Sequence, residues 1–112
     1  MPVKQEYLAY VLEQLSDVPD FTYKKMFGGI GFLRGDAMWG AIMNESDPFR
    51  LKVGEHNRAA FEAAGMTPFR MEKMQREMPY WTVPAEVLAD KKILAAWVEE
   101  AASAAVQKKK GK

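Results

Sequence analysis

Apolar residues recur at helical spacing near the start of the chain. Leu8, Val11, Leu12 and Leu15 fall at i, i+3, i+4 and i+7, with Glu6, Glu13, Gln14 and Asp17 mostly on the other side. The spacing predicts an amphipathic helix over residues 3–18, ended by Pro19-Asp20 because the residue before a proline is pushed out of the α region. Tyr7 and Tyr10 flank its apolar stripe as boundary packing. Phe21 to Phe27 is rich in β-favouring residues and reads as a strand, and Ile30 to Leu33 resumes the extended form. Arg34-Gly35-Asp36 is turn chemistry, and Ala37 to Met43 is a near-continuous apolar run containing Trp39, as expected of a central strand. After the loop Asn44 to Pro48, Phe49-Arg50-Leu51-Lys52-Val53 alternates, which predicts one packed face and a wet face carrying Arg50 and Lys52.

The second half carries a helix over residues 55–64, closed by Gly65 at a left-handed C′ position. Two strands follow, Phe69 to Glu72 and Met78 to Val83. Pro79 cannot donate to a ladder, so this pair is expected at a sheet edge. Val83-Pro84 opens a short helical turn. Asp90 then N-caps a last helix to about Gln107, with Ile93, Leu94, Trp97, Val98, Ala101, Ala104 and Ala105 as its stripe and Trp97 as its anchor. The order is α-β-β-β-β-α-β-β-α, an α+β domain over residues 1–107, with 108–112 a disordered basic tail.

Between the first two strands lies Met26-Phe27-Gly28-Gly29-Ile30-Gly31. Three glycines within four positions of an extended segment call for a bulge, a bend, a positive φ or close backbone approach, and this stretch is read as a fold device.

Composition changes the picture mainly by exclusion. The 112 residues include no cysteine, which removes disulfides, thiolate metal sites and cysteine nucleophiles. Net charge is +1, but four lysines lie within 108–112, so the other 107 residues carry 12 basic against 15 acidic side chains. A mildly acidic body argues against a general nucleic-acid footprint. No secretory signal or membrane-length apolar run is present, so a cytoplasmic protein is expected, with no membrane partner. The lone His56 lacks a partner in ligand spacing, no phosphate-loop or dinucleotide fingerprint occurs, and none of the three serines sits in a nucleophile elbow. No enzyme activity, cofactor or metal is expected.

Two surfaces remain. Met71, Met74, Met78, Tyr80 and Trp81 combine adaptable and aromatic side chains beside the expected edge, a candidate surface for a protein partner or a second copy of the chain. Lys24, Lys25, Arg50 and Lys52 form the alternative, an anion or nucleic-acid surface on an exposed sheet face, assisted by the lysine tail.

Four passages also resemble the N-terminal domain of the TfoX/Sxy family of bacterial competence regulators. They are Glu6-Tyr7-Leu8, Lys25-Met26-Phe27-Gly28-Gly29-Ile30-Gly31, the Phe49 to Val53 strand with Ala60 to Phe69, and Tyr80-Trp81-Thr82-Val83-Pro84. The resemblance implies a two-layer, secretion-chaperone-like fold with an antiparallel sheet packed against helices. It also implies a non-enzymatic role in transcriptional regulation of DNA uptake through contacts with a regulatory protein.

Overall fold

A computed structural model describes residues 4–26, 28–43, 48–71 and 76–110. In chain order the elements are α1 (Gln5–Gln14), a 3-10 turn (Leu15–Asp17), β1 (Thr22–Met26), β2 (Gly29–Arg34), β3 (Ala37–Ile42), β4 (Phe49–Lys52), α2 (Arg58–Ala63), β5 (Pro68–Met71), β6 (Arg76–Thr82), α3 (Ala85–Leu88) and α4 (Lys91–Lys110). The strands form one six-stranded antiparallel sheet in the order β1-β2-β3-β4-β6-β5. The fold is α+β, with the helices packed against the sheet.

Two tight hairpins build its first half. Met26 pairs with Gly29 across a two-residue turn in which Gly28 has φ +81, and Arg34 pairs with Ala37 across Gly35-Asp36, where Gly35 has φ +64. In the second hairpin the positive φ falls at the first turn position, as a type II′ turn requires, and at both places glycine supplies it without steric cost. Gly29 is glycine for another reason. A Cβ there would lie 2.2 Å from the Ile42 carbonyl oxygen and 2.6 Å from that of Met43, so β2 approaches β3 too closely for any side chain. The glycine stretch is thus a hairpin with a close approach, while the β2–β3 irregularity falls at Phe32/Leu33. Phe27 lies outside the described residues.

Residues paired across neighbouring strands share a face. One such row runs Tyr23, Phe32, Gly40, Leu51, Trp81, Pro68, and the row beside it Lys25, Ile30, Ile42, Phe49. This face carries the core, where Phe32, Trp39, Phe49 and Leu51 meet Val11 and Leu15 of the first helical segment, Phe61 of α2, Val87 and Leu88 of α3, and Leu94 and Val98 of α4. Phe32 lies 5.2 Å from Phe49 in a T-shaped pair and 5.7 Å from Trp39. Tyr7 ties α1 to β4, its hydroxyl accepting the Phe49 N–H at 2.8 Å.

Three expectations are corrected. The pair does lie at one end of the sheet, but the strand containing Pro79 is its inner member, between β4 and β5, and β5 is the edge. Proline is tolerated there because the β5–β6 register shifts at Pro68/Phe69, which frees that stretch from donating, while the Pro79 carbonyl accepts the Val53 N–H at 2.8 Å. The α4 stripe is rotated from its expected position: Ile93 is 46% exposed and Trp97 half-buried, whereas Leu94, Val98 and Ala101 are fully buried. Small residues at 101, 102, 104 and 105 let α4 lie close to the core, so Leu94 and Val98 anchor it instead of Trp97. Gln14, placed on the outer side by the sequence pattern, is buried and donates to the Leu88 carbonyl at 2.9 Å.

Asp90 caps α4 as expected, its Oδ1 accepting the Lys92 and Ile93 N–H groups at 3.1 Å, and Gly65 has φ +78 at the end of α2. Helical backbone continues from Gln107 into the lysine run as far as Lys110.

Candidate functional site

The opposite sheet face carries the row Lys24, Gly31, Ala41, Arg50, Thr82, with Leu33 beside Met38 and Lys52 beside Tyr80. No described helix contributes a core side chain to this face. Ala41 (3% exposed) and Tyr80 (6%) are nevertheless buried, and both lie outside the core cluster. Side chains of the sheet itself cover them. Met26 and Met38 lean over Gly31, their sulfur and methyl ends within 3.2 Å of where a Cβ would stand.

Tyr80 crosses this face from β6, and its hydroxyl donates to the Met38 carbonyl on β3 at 3.2 Å. Burial pushes its phenol up to about 12, so the proton that makes this bond is held through the neutral range. The Lys52 ammonium lies 5.1 Å from the Tyr80 ring centroid, and the Arg50 guanidinium 5.0 Å from that of Phe69 while donating to the Tyr80 carbonyl at 3.4 Å. These are cation–π stacks in which the aliphatic stems roof the aromatic rings. Lys52 is only 7% exposed, which corrects the expectation of a wet outer face. Strand alternation gives the face a residue points to, and the rings lying there decide whether that face is dry.

A family model, the TfoX N-terminal domain, matches residues 13–105 of the 112. The chain belongs to that family. As a TfoX N-terminal domain it is a competence-related regulatory domain. No curated protein matches the sequence.

In this TfoX N-terminal domain the two residue sets expected to form surfaces are divided. Lys24 and Lys25 are both exposed on the edge strand β1, but being consecutive they sit on opposite faces, Lys24 in the row of Arg50 and Lys25 in the row of Ile30. The four cations therefore do not make one patch. Met78 is half-buried, Tyr80 belongs to the open face, and Trp81 packs in the core against Phe61 at 6.2 Å. Met71 ends β5, and Met74 lies outside the described residues. Leu33 and Met38, half-buried on the open face, went unrecognised in the sequence, and the bulge after Phe32 is why: unbroken pairing from Phe32 opposite Gly40 would set Trp39 opposite Leu33, whereas the shift brings Met38 there.

Ion pairs cluster on the helical side. Arg34 makes a bidentate pair with Glu99 at 2.9 and 2.8 Å and also donates to the Pro19 carbonyl at 3.0 Å. That bonding holds the Glu99 carboxyl below its usual range, and Lys91 does the same to Glu13 at 2.8 Å. His56 Nε2 stands 3.1 Å from both the carbonyl and a carboxylate oxygen of Glu100, so it is committed to α4. Among the described residues no group of three or more His, Cys, Asp or Glu could hold a metal ion, and no helix is long and apolar enough to cross a membrane.

Proposed function

We propose that this domain is a non-catalytic, cytoplasmic regulatory module that acts in transcriptional regulation of competence by binding a regulatory protein through its open sheet face. The observation that carries the reading is Tyr80. A buried aromatic outside the core, with the Lys52 ammonium over its ring, the Arg50 guanidinium bonded to its carbonyl, and half-buried Leu33, Met38 and Met78 beside it, makes a surface that repacks easily. Methionine and long cationic stems change rotamer cheaply, which suits recognition of a partner. Family membership supports the regulatory role. The engaged state of His56 and the raised phenol of Tyr80 support structural roles for the two side chains nearest to general acid–base chemistry.

The test is Leu33→Asp, which places a charge on the open face without touching the core. In the source bacterium the variant should fold, with a melting temperature close to wild type, yet fail to restore competence-gene transcription in a deletion strain. Full complementation by a folded Leu33→Asp protein would overturn the reading. Duplex DNA binding that weakens with salt and disappears in Lys24→Glu would replace it with the nucleic-acid alternative.

A further inference from the structure

A second feature lies where the end of β4 meets the start of α2 and the β5–β6 bulge. A cavity of about 430 Å³ opens there, with Val53, Gly54, Pro68, Met78, Pro79 and Trp81 forming most of its wall. This is within the size range of sites for small ligands. Its charged lining residues are Arg58 and Glu55.

Arg58 is oriented from two directions. Its guanidinium lies 5.7 Å from the Trp81 ring centroid, and its Nε donates to Glu62 Oε2 at 3.0 Å across one helical turn. Both contacts draw the guanidinium toward the cavity side of α2, although the side chain is 62% exposed. The two Nη atoms make no hydrogen bond to a described residue. An arginine held in this way offers a planar pair of donors, the arrangement that suits a carboxylate. The lining mixes polar and apolar surface, Trp81, Pro68 and Met78 supplying contacts for a hydrocarbon, while Glu55 and Glu62 disfavour more than one negative charge.

We propose that this cavity binds an apolar group bearing a single carboxylate, with the hydrocarbon against Trp81, Pro68 and Met78 and the carboxylate on the Nη edge of Arg58. Two sources present that chemistry, a free hydrophobic acid and the C-terminal residue of another polypeptide. The site shares Met78 with the border of the open face but contains neither Leu33 nor Tyr80, so loss of ligand in an Arg58 variant and loss of function in Leu33→Asp are read independently.

The experiment is a calorimetric titration of the purified domain, with tryptophan fluorescence followed in parallel because Trp81 lines the cavity. The probes are 4-phenylbutyrate and a tetrapeptide ending in phenylalanine, each compared with its own amide. At least one carboxylate should bind, and its amide about tenfold more weakly, the loss expected for a charge-assisted pair. Whichever probe binds more tightly identifies the source. Arg58→Gln should weaken the carboxylate by a similar factor, with a thermal midpoint close to wild type because the side chain is largely exposed. Arg58→Lys, which keeps the charge but loses the planar fork, should fall between the two and serves if the glutamine variant does not fold. The proposal fails if neither carboxylate binds, if acid and amide bind alike, or if the Arg58 variants leave affinity unchanged.

Discussion

The two faces of the sheet keep water out by different means. On one, Phe32, Trp39, Phe49 and Leu51 are covered by a second layer of helices, ring against ring and ring against aliphatic chain. On the other, Tyr80 and Ala41 reach the same low exposure with no described helix over them, sheltered by Lys52, Arg50 and the methionines of the sheet. Burial by a packed layer is rigid and contributes most of the stability. Burial by the stems of long side chains contributes less and can be exchanged for burial by something else. Equal exposure therefore does not imply equal energetic weight.

The sharpest test of that difference is Phe32→Ala on the covered face, expected to cost about 4 kcal/mol in urea unfolding because it leaves a cavity among fixed neighbours. Met38→Ala on the open face should cost about 1 kcal/mol, since its surroundings relax. Equal costs would abolish the distinction. Next in size is Gly29→Ala, expected to cost about 3 kcal/mol or to prevent folding, since its Cβ would meet main-chain oxygens that cannot move away. Gly31→Ala should be far milder, because the atoms in its way are the flexible ends of Met26 and Met38.

Tyr80→Phe should cost about 1 kcal/mol near pH 8, the worth of its hydroxyl bond to Met38. The difference should shrink in strong alkali. The folded-state phenol titrates at about 12 and an unperturbed one near 10, so the stabilisation is complete below pH 10. It is lost between pH 10 and 12 as the unfolded chain gives up its proton first, at up to about 1.4 kcal/mol per pH unit. The phenylalanine variant should lack that part of the decline. Smallest of all, Lys52→Met should change stability by less than about 1 kcal/mol, since the stem that shelters Tyr80 is retained. A large loss would mean that the ammonium, rather than the stem, holds this face together.

Much of the architecture could be read from the chain. Strand and helix order, the Gly35 hairpin turn, the Asp90 cap and the Gly65 terminus follow from periodicity and from residues whose backbone chemistry is local, whereas the glycines after Met26 announced a bend without showing that it is a hairpin. What escaped was non-local. Pro79 indicated an edge because the register shift that excuses it depends on β5. The size of Trp97 suggests an anchor for α4, whereas Leu94, Val98 and the alanines beside them make the buried contact, where close approach replaces bulk. The basic set Lys24, Lys25, Arg50 and Lys52 looked like one surface only while consecutive residues were counted together. The candidate partner residues fared unevenly for the same reason: Tyr80 and Trp81 are neighbours in sequence and belong to opposite faces of the sheet.

The placement of α4 also bears on how this protein is made. Its side chains Leu94, Val98, Ala101, Ala102 and Ala105 complete a core whose other contributors begin at Val11, and its ion pairs reach back to Glu13, Arg34 and His56. While the chain is being synthesised, all six strands are polymerised before the helix that shelters Trp39 and Leu51, and that helix is the last described element to emerge from the ribosome. A released chain truncated near residue 90 would carry all six strands with part of their aromatic face bare, a species prone to stick to its own kind. Translation speed through the last twenty codons of the described chain, and the availability of a chaperone during that interval, should therefore govern soluble yield more strongly than any substitution on the open face.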